Sequence, residues 1–176
     1  ALYTLSESGG DPLYVQSKNP NAVPIPNSTV SWNCQEVDAQ GTVIPGFSDG
    51  LNGGVRVPLG AFIRCTATNQ TATLTLLKDV TNTSGGKAVP SDWKLTATPV
   101  NPPTGVIAKT VDGASTASAT NTFNVRPGLT YNLTETSLPG YVTDKLECAV
   151  NSGPFGATTQ VQLNALDTAV CKFTNK

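Results

Sequence analysis

The pattern Tyr-x-Leu-x-Glu occurs twice in this chain, at Tyr3, Leu5 and Glu7 and again at Tyr131, Leu133 and Glu135. Each copy is followed by two cysteines and an asparagine: Cys34, Cys65 and Asn69 after the first, Cys148, Cys171 and Asn175 after the second. Shorter stretches align between them, Leu13-Tyr14-Val15 with Gly140-Tyr141-Val142 and Trp32-Asn33-Cys34 with Leu146-Glu147-Cys148. Residues 74–125 precede the second copy and have no counterpart before the first. A repeat of this kind constrains the fold before any single residue does, because equivalent positions must serve equivalent structural roles. The chain therefore reads as two tandem units: residues 1–69 form the back half of a unit that lacks its first strands, and residues 70–176 form a complete one.

Charge excludes several function classes. The 176 residues carry a net charge of -1, and only 13% of them are charged. Such a chain offers no basic stripe for nucleic acid and no acidic tail. No apolar run approaches the roughly 20 residues of a membrane helix, so no membrane insertion is expected within this segment. The first residues lack the regions of a signal peptide, which places any export or anchoring signal outside them.

Thr, Ser, Asn, Gly and Pro dominate, Val and Leu recur in alternation, and helix formers never gather on a helical period, so the chain reads as all-β. In the complete unit, Leu74, Leu76, Lys78 and Val80 fall on one face of a first strand. Trp93, Leu95 and Ala97 alternate next. A strand is expected over 106–111, a polar loop after it, and further strands over 129–135, 145–150, 158–163 and 169–175. Seven or eight short strands spaced in this way suit an Ig-like β-sandwich.

The four cysteines sit at equivalent places in the two units, show no metal-ligand spacing, and are accompanied by no histidine. Structural disulfides in an oxidising compartment are expected, with neither metal nor cofactor. Three pairings are open to four cysteines; repeat symmetry favours Cys34 with Cys65 and Cys148 with Cys171.

The Leu-x-Leu-x-Lys-Asp run from Leu74 to Asp79, the Pro-Gly-x-Thr-Tyr-x-Leu-x-Glu-x-x-x-Pro-Gly-Tyr run from Pro127 to Tyr141, and the terminal strand from Cys171 to Lys176 together resemble the prealbumin-like (CnaB-type, SpaA-like) repeats of bacterial surface proteins. The resemblance covers residues 72–176, and its back half covers 1–69. It implies rigid stalks, pilus shafts and adhesin arms, many of whose repeats carry a self-formed Lys to Asn or Asp isopeptide bond with a Glu beside it. The matching positions are Lys78, Asn175 and Glu135.

Strand parity examines those positions independently. Lys78 shares its face with Leu74 and Leu76, Glu135 with Tyr131 and Leu133, and Asn175 with Cys171 and Phe173, so all three polar groups are expected to point inward and to meet. An apolar surrounding disfavours the ammonium form of Lys78, and a neutral amine is a nucleophile. Attack on the Asn175 carboxamide, with Glu135 relaying protons, would release ammonia once per chain. This is an autocatalytic cross-link and not turnover. The bland alternative is a hydrogen-bonded Lys-Glu-Asn cluster. The half unit keeps Glu7 and Asn69 but has no lysine strand before them; either the missing strands lie upstream, or a neighbouring subunit donates them by β-augmentation.

The sequence thus points to a non-enzymatic, extracellular repeat of a bacterial cell-surface stalk, adhesin or filament, whose partners are neighbouring repeats or subunits of the same protein. The alternative is an adhesin domain that recognises a host or surface glycan or protein, using Trp32, Tyr14 and the 16–29 insertion present only in the first unit. Four Asn-x-Ser/Thr sequons, at Asn27, Asn69, Asn82 and Asn132, are weak signals in so Thr-rich a chain.

Overall fold

The computed structural model describes residues 1–16, 32–50 and 53–176. All but the first residue of the 16–29 insertion, and the Asn27 sequon within it, lie outside the described residues. The chain divides into two compact units: unit 1 comprises Ala1–Asp11 and Val15–Gln70, and unit 2 comprises Pro12–Tyr14 and Thr71–Lys176. Both are all-β, and the one helical turn among the described residues is a 3-10 turn at Pro90–Asp92.

Unit 1 contains β1 (Leu2–Thr4), β2 (Val15–Gln16), β3 (Asn33–Val37), β4 (Val43–Ile44), β5 (Gly54–Arg56), β6 (Phe62–Thr66) and β7 (Asn69–Gln70). They pair as β1 with β5, β2 with β7, and a three-stranded sheet in the order β4-β3-β6. Cys34 and Cys65 stand directly opposite each other in the β3/β6 register and are joined by a disulfide. Beside this bridge the backbone of Gly50 takes a φ of +95°, and a side chain there would collide with the Cys34 sulfur. Only glycine combines that conformation with so close an approach.

Unit 2 contains nine strands: β8 (Ala72–Val80), β9 (Lys94–Pro99), β10 (Lys109–Asp112), β11 (Thr122–Val125), β12 (Thr130–Glu135), β13 (Thr143–Val150), β14 (Gly156–Ala157), β15 (Gln160–Gln162) and β16 (Thr168–Asn175). One sheet has the order β11-β8-β16-β13-β14, the other β10-β9-β12-β15. Alternation explains which residues lie between them. Ala72, Leu74, Leu76 and Lys78 of β8 are buried, as are Leu95 and Ala97 of β9, Tyr131 and Leu133 of β12, and Ala169, Cys171, Phe173 and Asn175 of β16. Trp93, entering β9 from the 3-10 turn, is fully buried with them. The Cys148–Cys171 disulfide links directly opposed residues of β13 and β16.

The first and last strands of the unit, β8 and β16, run parallel side by side, with Lys78 opposite Phe173 and Val80 opposite Asn175. Every other strand pairing is antiparallel, and β8 is completed on its far edge by β11. Strand boundaries differ from those expected by two or more residues at β10, β13 (which starts at Thr143) and β15 (Gln160–Gln162). The strand expected from residue 106 begins at Lys109, because residues 103–106 close a turn in which the Val106 amide donates to the Pro103 carbonyl at 3.2 Å. Gly105 supplies the positive φ that this turn requires. The two-residue β14 adds a strand that composition does not announce.

The polar loop expected after β10 contains a buried anchor that alternation does not reveal. Asn121 is fully buried, and its amide nitrogen donates to the carbonyls of Leu76 and Thr116, each at 3.0 Å, while its side-chain oxygen accepts from the Ser118 amide at 2.7 Å. One side chain therefore satisfies three backbone groups and pins the loop to β8. Asn121→Ala would leave those groups unpaired, and a loss of about 2 to 4 kcal/mol is expected in urea unfolding, against a small effect for Asn124→Ala on the outward face of β11.

Candidate functional site

The site is assembled by the same alternation that builds the core of unit 2. Lys78 continues the buried row Leu74-Leu76 on β8, so its whole side chain lies inside and is 0% exposed. Its backbone amide donates to the Ala114 carbonyl at 2.8 Å, which closes the loop after β10 over it. Gly113 next to that loop permits the approach, since a Cβ there would press on the Lys78 Cβ at 3.1 Å and on the Pro90 carbonyl.

Glu135 closes β12 on the face of Tyr131 and Leu133, and it accepts the Lys78 Nζ in an ion pair through Oε2. Its other oxygen, Oε1, accepts the Thr143 hydroxyl at 2.7 Å, which fixes the carboxylate plane from the β13 side. The Trp93 ring forms the remaining wall, with Nζ 4.5 Å from the ring centroid. Tyr141 meets that indole edge to face at 5.3 Å. The Tyr141 hydroxyl donates to Asn82 Oδ1 at 2.5 Å and accepts the Ala88 amide, tying the loop after β8 to the same wall. Burial pushes the Lys78 amine below its ordinary range, and the Glu135 carboxylate opposes that push.

Asn175 lies on β16 two residues past Phe173, the register partner of Lys78, and is 3% exposed. Parallel register and alternation set these two side chains on one face of adjacent strands. The Asn175 Oδ1 is buried and has no hydrogen-bond partner among the described residues. Buried side-chain acceptors are rarely left so. Of the three residues singled out in the sequence, Lys78 and Glu135 are in direct contact, and Asn175 is in the same core with an unsatisfied carbonyl. Trp93, Thr143 and Tyr141 complete the wall. Trp93 was legible as a core residue, but its place over the amine depends on how the two sheets stack.

In unit 1 the equivalents of Glu135 and Asn175, Glu7 and Asn69, are in contact with each other. The Asn69 amide nitrogen donates to Glu7 Oε1, and both residues are exposed. Tyr14, grouped with unit 2, and Pro12 give their carbonyls to the Arg126 guanidinium, so Arg126 holds this short segment. Trp32 is half-buried. Among the described residues no three His, Cys, Asp or Glu side chains are grouped to hold a metal ion, and no helix is long and apolar enough to cross a membrane.

Comparison with known proteins adds three findings. The sequence model of the prealbumin-like fold domain matches residues 69–173. No curated protein matches the chain. Among solved structures, similarity extends to the T-13 major pilin protein of Streptococcus pyogenes, at 15% identity and a TM-score of 0.37 over 70% of this chain and 58% of that one. It extends likewise to a second Streptococcus pyogenes major pilin structure, at 15% identity and 0.36 over 71% and 57%. A point mutant of the major pilin is similar at 13% identity and 0.37, over 97% and 67%. The chain thus spans less than two thirds of the length of the first two.

The depressed Lys78 amine has a signature in stability. A group whose pKa is lowered by folding binds fewer protons in the native state, so stability rises with pH across the window from its native value to the unfolded value of about 10.4. In an Asn175→Ala background, where the amine has no carboxamide beside it, unfolding free energy should climb through that window. Lys78→Met in the same background should flatten the climb. Tyr131, pushed up by burial, acts in the opposite sense above about pH 10, so the comparison of the two proteins below that pH isolates the lysine.

Proposed function

Because the chain belongs to the prealbumin-like fold domain family, we propose that it serves as an extracellular structural repeat of a bacterial surface stalk, adhesin or filament, and that unit 2 is locked by a self-formed amide between Lys78 and Asn175. The observation that carries this reading is a fully buried lysine whose only ion-pair partner in the described residues is Glu135, in a core where the Asn175 carbonyl has no donor. A buried ion pair contributes little net stability by itself, because desolvation offsets most of the attraction. Conversion to a neutral amide removes the buried charge altogether.

The chemistry follows from the groups present. Glu135 takes a proton from the ammonium, and the neutral Nζ attacks the Asn175 Cγ. The N–Cγ bond forms and the Cγ–Nδ2 bond breaks. Proton transfers through Glu135 let the departing nitrogen leave as ammonia. The carbonyl oxygen, unsatisfied before reaction, then faces the protonated carboxyl as a hydrogen-bond acceptor.

Topology gives the bond its mechanical value. Tension that enters at the start of β8 and leaves at the end of β16 shears two adjacent parallel strands, and a bond from Lys78 to Asn175 carries that tension past the intervening sheet. Closing a loop of about 100 residues also removes about 4.7 kcal/mol of unfolded-state entropy on the chain-entropy model. Association of subunits by strand addition is the second part of this reading, and the two disulfides suit an oxidising, extracellular setting.

The intact mass of the purified chain under reducing conditions tests the bond. A deficit of about 17 Da, one ammonia, is expected for the native sequence, and the full sequence mass for Lys78→Ala, Asn175→Ala and Glu135→Ala. A native chain at full sequence mass would refute the covalent lock.

A further inference from the structure

Strand β13 changes face just before it reaches the reacting groups. Across β13 and β16, Cys148 lies opposite Cys171 and Leu146 opposite Phe173. Strict alternation would bring Asp144 to the inner face next and leave Thr143 outside. The register instead shifts by one residue between Thr143 and Lys145, and Thr143 is the residue that lies opposite Asn175. Residues directly opposite each other share a face, so the extra residue returns Thr143 to the inner side. Asp144, displaced from the ladder, forms an ion pair with Lys176. Pairing resumes beyond the shift, where the Val142 amide donates to the Lys176 carbonyl at 3.0 Å and the Lys176 amide to the Val142 carbonyl at 3.1 Å.

The re-aimed side chain meets the carboxylate of the site. Thr143 Oγ1 donates to Glu135 Oε1 at 2.7 Å, while Glu135 Oε2 receives the Lys78 Nζ. One carboxylate is thereby held at both oxygens, from β13 and from β8. The same threonine stands opposite Asn175, so a single residue relates the carboxylate to the strand that bears the carboxamide. The Lys78 and Glu135 side chains are 0% and 9% exposed, whereas Thr143 is exposed. Its hydroxyl therefore lies where the site meets solvent, and it takes the place at Oε1 for which water would compete.

We infer that Thr143 is a positioning residue for the amide-forming step: its hydroxyl occupies Oε1 and leaves Oε2 as the atom that takes the Lys78 proton and passes it to the departing nitrogen of Asn175. The inference rests on the chemistry proposed for Lys78, Glu135 and Asn175. Thr143 keeps its own proton throughout and forms no covalent bond, so the products are unchanged: one amide and one ammonia. Its contribution is orientation. The terminal torsion of a glutamate is soft, and a carboxyl free to turn presents Oε2 to the amine for only part of the time. Small misplacements of a reacting group cost large factors in rate. The hydroxyl carries this role and the methyl does not, so serine can replace the threonine and valine cannot.

The test starts from the whole 176-residue chain recovered unfolded in urea, where its full sequence mass shows that no ammonia has been lost. It is refolded by dilution into a thiol–disulfide buffer, and aliquots quenched in acid and reduced are followed by intact mass. Loss of about 17 Da should proceed about tenfold more slowly in Thr143→Val than in the native chain, and Thr143→Ser should recover most of the native rate. Thr134→Val, an exposed position on the outward face of β12, should react at the native rate. In an Asn175→Ala chain, which cannot react, adding Thr143→Val should leave the urea midpoint where it was. A Thr143→Val chain as fast as the native one, a serine variant as slow as the valine, or a lowered midpoint overturns the role of Thr143 and leaves the lock standing. A native chain that keeps its full mass after refolding overturns the lock, and the positioning role with it.

Discussion

An ammonium inside an apolar core is the constraint around which unit 2 is arranged. Removing such a charge from water costs several kcal/mol, and the cost is tolerable only where a carboxylate and a polarisable wall replace the lost solvent. Lys78 obtains both from the facing sheet, Glu135 from the end of β12 and the Trp93 ring from the turn that enters β9. Meeting that demand ties three elements together. The turn before β9 must bring the indole over the amine, β12 must end on the glutamate, and the loop after β10 must close over β8, which the Ala114 carbonyl and the Gly113 backbone make feasible. Asn121 secures the same loop further along the same edge of β8.

The parallel contact between β8 and β16 gives the buried lysine its consequence. Chain-terminal strands that lie next to each other bring residues far apart in sequence within reach, and alternation places Asn175 on the face of Phe173 that meets Lys78. A cross-link at this point would unite the two ends of the unit. Unit 1 arranges the equivalent residues differently. Its glutamate and asparagine turn to each other, and its tyrosine is uncovered.

Much of this was readable in advance because a period of two is a local property. Residues 74, 76 and 78 share a face whatever the strand's neighbours, and the burial of Leu74, Leu76 and Lys78 agrees with that. Repeat symmetry likewise selected among three cysteine pairings before any coordinates, since equivalent positions in two copies must pair equivalently. Asn121 escaped notice for the complementary reason: an asparagine in a Ser/Thr-rich loop carries no periodic signal, and only the surrounding backbone reveals that it satisfies three groups. The strand expected from Val106 started late because a Gly-containing turn took its first residues.

By itself the sequence determined the all-β class, the inward faces and the cysteine partners, all of which follow from alternation and internal repetition along the chain. Only the tertiary structure decided that β8 lies between β11 and β16, that Lys78 stands opposite Phe173, that Trp93 covers the amine, and that the Asn175 carbonyl is left without a donor. Alternation fixes which way a side chain points but not what it meets. That depends on strand order, register and the stacking of two sheets, which arise from contacts between residues remote in sequence.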